Sequence, residues 1–279
     1  MATPDEIRSF AESIATAITR TLPEPPTWHP SATEDDASPE LSTALENTGW
    51  SSLAEDPELV AFAGPGGVEL GRRLAPVCDI DVLLGGSPLA GDLIRYGERV
   101  THAVQTDDGQ LELLPVTESR ACSYSDAFGV HEVIAFGDAQ ALRPEDSHAR
   151  IAVWTAAAVG YSAGVAEYAF EMALDYARER RAFGTTLAGL APVQQLLAGA
   201  ATVTRGLRLL ALRSPDQYAL AYAGPALCAV TSTCQQIAGA IGFTLEFPLQ
   251  RAYRRARALS VWNEAVLDGL REAALAPAS

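Results

Sequence analysis

Two strings in this sequence combine residue types suited to phosphate groups and to the polar edge of a flat ring. The first is Tyr176-Ala177-Arg178-Glu179-Arg180-Arg181-Ala182-Phe183-Gly184. It places an arginine where a long helical pattern ends, then an aromatic residue, then a glycine that can take positive φ. A guanidinium donates two parallel hydrogen bonds, which suits it to a pyrophosphate. A basic last turn that complements the helix dipole would look the same. The second string is Gln235-Gln236-Ile237-Ala238-Gly239-Ala240-Ile241-Gly242-Phe243-Thr244, followed by Pro248-Leu249-Gln250-Arg251-Ala252-Tyr253-Arg254-Arg255-Ala256. Its small residues let a ligand approach the backbone, and Gln236 offers an amide to a cofactor edge. A plain helix break built from small residues is the competing reading.

Other chemistries find less support. Cys78, Cys122, Cys228 and Cys234 form no C-x-x-C pair, and His29, His102, His131 and His148 are scattered. Convergent metal ligands are therefore not expected, and buried free thiols are. The formal net charge is −15, and every one of the 20 basic residues is arginine. A non-specific nucleic-acid binder would show the opposite balance. An anionic ligand must be met by a few placed arginines or by helix N-termini. No apolar run approaches the roughly 20 residues that span a bilayer. The first residues, Met1 to Arg20, form an acidic amphipathic pattern unlike a signal peptide. The chain is expected to be cytoplasmic, with no membrane and no nucleic-acid partner.

The elements that must position these strings fall into three regimes. Residues 1–92 read as an N-terminal helical region. A first helix carries Ile7, Phe10, Ile14, Ala17 and Ile18 at helical spacing and stops before Pro23-Glu24-Pro25-Pro26. Ser38 is placed as the N-cap of a second helix with Pro39 as its first residue, and a third runs roughly from Gly67 to Leu74. Residues 93–146 read as a small β domain of about four short strands. Within it Val100 to Gln105 and Leu111 to Val116 flank an Asp-Gly hairpin turn, and Val130 to Phe136 forms another strand. Residues 147–279 read as an antiparallel four-helix bundle. Its first helix carries an apolar stripe from Ile151 through Trp154, Tyr161 and Met172 to Tyr176, with Ala- and Gly-rich faces beside it. The second, third and fourth helices are placed at Ala191 to Arg213, Gln217 to Ala238 and Pro248 to Ala273. The fold class is mainly α with a small β insert.

In this order and separation, the two strings resemble the acyl-CoA dehydrogenase patterns Y-x-x-x-R-x-x-F-G and Q-x-x-G-G-x-G-F/Y with P-x-x-R-x-x-R-D. The likeness covers His148 to about Trp262. It implies FAD as cofactor and an acyl-CoA substrate dehydrogenated between Cα and Cβ, a carboxylate taking the Cα proton while FAD accepts the hydride. By resemblance, Arg180, Phe183, Gly184, Gln236 and the backbone at Gly239 bind the adenosine-pyrophosphate part of FAD. In that family these motifs reach across a subunit interface, to the FAD held by a neighbouring chain.

The sequence departs from the family where the chemistry should be. The two positions that match the family's catalytic glutamate fall at Trp154, or a close neighbour, and at Asn263; neither of these two residues is a base. Glu264, one residue off, and Glu246 are the carboxylates left as candidates. The β insert carries nothing like the Thr-Glu-Pro-x-x-Gly-Ser-Asp string that binds the flavin ring. Ala240 replaces the second glycine, and Arg255 replaces the aspartate of R-D. The chain thus keeps what the family offers in trans and lacks what it offers in cis. It is read as the short subunit of a two-chain dehydrogenase, with two copies of each chain. The longer partner subunit would supply flavin pocket and base. Two-chain members of this kind are associated with steroid side-chain degradation in actinobacteria, and the all-arginine composition is compatible with such a source. The rival readings are a self-sufficient flavoenzyme using Glu264 or Glu246, and a non-enzymatic helical scaffold.

Overall fold

A computed structural model of the chain describes residues 2–22, 39–107, 109–122, 129–213 and 215–275. Its longest element is α5 (Pro144–Glu179), 36 residues with Pro144 in the first turn. That position suits proline, whose missing N–H would be unsatisfied there in any case. The stripe from Trp154 to Val165 is buried, but so are the intervening Ala156, Ala157, Gly160, Ala163 and Gly164. The small-residue face is therefore not a spare surface. It receives α3 (Val60–Arg72), and this is the most extensive helix contact in the fold.

The contact is made backbone to backbone. A Cβ added at Gly160 would lie 2.1 Å from the carbonyl oxygen of Gly64, and one at Gly67 would lie 2.3 Å from that of Ala157. One added at Gly164 would lie 2.1 Å from the carbonyl of Val68. Only hydrogen fits at these crossings. Sequence reading began α3 at Gly67. The helix in fact begins at Val60 and includes Pro65. The run Gly64-Pro65-Gly66-Gly67 looks like a break by propensity, and burial against α5 overrides it.

Ahead of α3 lie α1 (Pro4–Thr21) and α2 (Pro39–Asn47). The N-terminus of α1 is closed by a capping box in which Thr3 and Glu6 bond reciprocally. The Ser38 cap expected for α2, and the Pro23-to-Pro26 break, fall outside the described residues. After α3 the chain turns into a short α4 (Cys78–Asp81) and enters the sheet.

The sheet has six strands rather than about four. They are β1 (Ser87–Pro88), β2 (Leu93–Ile94), β3 (His102–Asp107), β4 (Gln110–Ala121), β5 (His131–Phe136) and β6 (Gln140–Ala141). Their order is β1-β3-β4-β5-β2, with β6 on β4. The strands that sequence reading missed have two residues each, too few to show an alternating pattern. The hairpin stands where Asp-Gly placed it, with Asp107 opposite Gln110 and Gly109 at φ 75°.

Beyond α5 come a two-residue hairpin of β7 (Arg181–Ala182) and β8 (Thr185–Thr186), then α6 (Ala191–Ala211), α7 (Gln217–Ala238) and α8 (Leu249–Leu275). Ala177 near the end of α5, Leu197 near the start of α6 and Ile237 at the end of α7 share one apolar cluster. The chain therefore runs up α5, down α6 and up α7. The segment Gln217–Phe243 is long and apolar enough to cross a membrane by length and composition. Here α7 packs against α5, α6 and α8. One continuous core joins α1 to α8 with the inner face of the sheet.

Gly160→Ala is expected to cost on the order of 3 kcal/mol in urea unfolding, because the methyl meets a backbone carbonyl that no rotamer change can move. A loss below about 0.5 kcal/mol would contradict the close α3–α5 crossing.

Candidate functional site

The two strings meet at one end of the helices. Arg180 ends α5, its N–H closing on the Tyr176 carbonyl at 2.9 Å. The carbonyl of Arg180 accepts from the N–H of Leu187 at 2.8 Å, which ties the β7–β8 turn back to the helix end. At the tip Phe183 takes φ 52° and Gly184 φ 83°. Positive φ is uncommon for a bulky residue, and the phenyl ring is 93 % exposed. Arg180 is exposed and has no carboxylate within ion-pair distance among the described residues.

The second string closes the same end. Gly239 terminates α7 at φ 68°, a region open to glycine. Gln236 is exposed, whereas its neighbour Gln235 is buried and donates to the Gly242 carbonyl at 3.2 Å, which fixes the turn. Tyr176 of the first string packs edge-on against Phe247 beyond the second, with ring centroids 5.6 Å apart. Phe243 is 67 % exposed, and Ile241 and Leu245 are exposed beside it. Arginine, amide, exposed backbone and an unpartnered apolar rim thus share one surface. This donor set fits a pyrophosphate and an adenosine edge.

The interior that should hold flavin ring and base is built differently. Trp154 is fully buried, and its indole Nε1 donates to Asp81 Oδ1 at 3.1 Å. Asp81 also receives Arg95 through two bonds, Nε to Oδ2 at 2.7 Å and Nη2 to Oδ1 at 2.5 Å. The Arg95 guanidinium stacks over Trp262, 5.6 Å from the ring centroid. Asn263, the other position matched to the family's glutamate, is buried too. Two tryptophans and an ion pair therefore occupy this interior, and both oxygens of Asp81 are engaged within it. Arg255 faces inward as well. It donates to the Leu74 carbonyl, to the Ala75 carbonyl at 2.7 Å and to the Tyr161 hydroxyl at 2.5 Å. A cation thus sits where α3 ends and its unpaired carbonyls converge.

The two remaining carboxylate candidates lie outside this interior. Glu264 is exposed on α8 and pairs with Arg271 at 2.6 Å. Glu246 is exposed in the turn before α8. The structure does not bring either to Trp154. Among the described residues, no cluster of three or more His, Cys, Asp or Glu side chains could hold a metal. The cysteines are free, and burial pushes the Cys234 thiol up to about 12.

The family model for the acyl-CoA dehydrogenase C-terminal domain matches residues 147–263. Residues 147–263 are thus similar to an acyl-CoA dehydrogenase C-terminal domain. Over 109 residues it is 34 % identical to 3-sulfinopropanoyl-CoA desulfinase of Paraburkholderia xenovorans, a stretch that covers 35 % of this chain and 28 % of that enzyme. Over 114 residues it is 34 % identical to the mitochondrial short-chain specific acyl-CoA dehydrogenase of Sus scrofa, covering 36 % and 27 %. The chain thus spans little more than a quarter of the length of these curated relatives. Whole-chain similarity reaches further. The ChsE4-ChsE5 complex of Mycobacterium tuberculosis aligns at TM-score 0.68 and 17 % identity, over 99 % of both chains. The glutaryl-CoA dehydrogenase of Mycobacterium smegmatis in complex with FADH2 aligns at 0.66 and 14 %, over 100 % of this chain and 96 % of that one. At these identities the likeness is one of fold, and it extends the dehydrogenase fold across the N-terminal helices and the sheet.

Sequence reading missed the interior cluster. Its signal was Asp79-Ile80-Asp81 inside the apolar stretch Val77 to Leu84, with Arg95 fourteen positions on among Leu93, Ile94 and Tyr96. Charges embedded in apolar sequence are buried only when paired. Asp81→Ala strands Arg95 in the interior and is expected to cost about 3–5 kcal/mol in chemical denaturation. Adding Arg95→Met should recover most of that loss. An Asp81→Ala protein within about 1 kcal/mol of the parent would show that the pair does not hold this core.

Proposed function

We propose that this chain is one subunit of a hetero-oligomeric, FAD-dependent acyl-CoA dehydrogenase, assembled with two copies of each chain. In this reading it grips the adenosine-pyrophosphate side of an FAD whose ring lies in a longer partner subunit. The observation that carries the reading is a contrast within one molecule. The surface that would face a neighbour's cofactor keeps the side chains of Arg180, Phe183 and Gln236 exposed around the half-buried Gly239, while the interior matched to the family's base is filled by Trp154, Asp81 and Arg95.

Within the complex Arg180 would neutralise pyrophosphate charge, and Gln236 and the Gly239 backbone would orient the adenosine. Phe183, held outward at positive φ, would pack against the partner and exclude water from the site. FAD, when bound, supplies the hydride acceptor that side chains cannot. The carboxylate that removes the Cα proton belongs to the partner in this scheme. The ChsE4-ChsE5 likeness supports a two-chain assembly, and a fold match to the Tcur3481-Tcur3483 steroid ACAD, at TM-score 0.68 and 18 % identity, supports a bulky CoA thioester of the steroid side-chain kind as substrate. The self-sufficient alternative would have to route the proton to Glu246 or Glu264, both exposed.

Arg180→Ala, made in the complex co-purified with the proposed partner subunit, is expected to weaken FAD retention at least about tenfold without dissociating the chains. Glu246→Gln and Glu264→Gln should leave turnover within about twofold. A loss on the order of 10²-fold in either variant, the scale of general acid–base catalysis, would move the base into this chain.

A further inference from the structure

A cavity lies away from the Arg180 surface, between α2, the α4 corner and the start of the sheet. It measures about 490 Å³, within the range of roughly 300–1,000 Å³ usual for small-molecule pockets. Leu45, Trp50, Cys78, Val82 and Val100 line it with apolar surface.

Two carboxylates reach its inner end, and they differ in one respect. Both oxygens of Asp81 are engaged, by Arg95 and Trp154. Asp79 is 5 % exposed, and its Oδ1 accepts from the Ser42 hydroxyl at 2.8 Å. Among the described residues no donor meets its Oδ2. Burial in these surroundings pushes the Asp79 carboxyl up to about 6. Asp79 lines the cavity, so a donor delivered by a ligand there could complete its hydrogen bonding.

The surrounding charges select the ligand. Arg99 and the exposed Glu46 also line the cavity; Arg99 acts favourably on Asp79, while Arg95 neutralises Asp81. A cationic ligand would meet Arg99, and an anionic one would meet Asp79 and Glu46. A neutral molecule avoids both repulsions. We propose that this cavity binds an uncharged, largely apolar molecule bearing a hydroxyl group, which donates its hydrogen bond to Asp79 Oδ2. The proposal concerns this chain alone and does not depend on the cofactor reading above.

The test titrates the full-length chain with 2-naphthol and with 2-methoxynaphthalene, two probes that share a ring system but differ in the donor. 2-Naphthol is expected to bind saturably and at least about tenfold more tightly, since a buried acceptor left unmet penalises the ether. Asp79→Leu should erase that preference. If Asp79→Leu does not fold, Val82→Trp fills the cavity from its wall and should abolish saturable 2-naphthol binding with an unchanged circular dichroism spectrum. Equal affinity for the two probes, no saturable 2-naphthol binding, or binding undiminished in the folded variants would overturn the proposal.

Discussion

The rest of this structure depends on the approach of α3 to α5. Glycines on both helices let the two backbones touch, and this brings the end of α3 down onto the middle of α5. The chain must then turn at Leu74 and Ala75 directly beside Tyr161. The exposed carbonyls of that turn are met by Arg255 from α8 and, at Ala75, by the Tyr161 hydroxyl. The same turn carries Asp81 to Trp154. One close crossing therefore fixes three features: the corner, the helix that closes over it, and the ion pair that fills the interior.

That interior explains how an acidic chain distributes its arginines. Arg95 and Arg255 are spent inside, the first on Asp81 and the second on backbone carbonyls. Arg72 and Arg208 converge on Glu167, at 2.6 and 2.8 Å, and link α3 to α5 and α6. Arg180 is different. It stands at the end of α5 with no acidic neighbour in reach among the described residues, in a protein of net charge −15. An unneutralised guanidinium next to exposed Phe183 and Phe243 is an unfinished surface, and an anionic group held by another chain would finish it.

Much of this was legible in the sequence because it is periodic or chemically marked. The long helices from α5 to α8 follow apolar spacing. The Asp-Gly turn fixes the β3–β4 register, and the arginine and glycine strings mark the helix ends that meet beyond α5 and α7. What stayed hidden was not periodic. The Gly-Pro-Gly-Gly run inside α3 looks like a break, and close packing against α5, α6 and Trp50 makes it a helix. Strands of two residues carry no pattern. Arg255 reads as a lost aspartate, because its partners lie about 180 and 94 positions away in sequence. Trp154 stands out in the sequence, but the carboxylate that accepts its indole hydrogen bond, Asp81, comes from a different part of the chain.

The central claim is that this chain completes a flavin site it does not itself contain. The most direct measurement is the visible absorbance of the purified chain, alone and after co-purification with the partner subunit. The account predicts colourless protein alone, with no flavin released on denaturation, and a yellow complex whose FAD is lost when the chains are separated. Stoichiometric FAD retained by this chain on its own would contradict it.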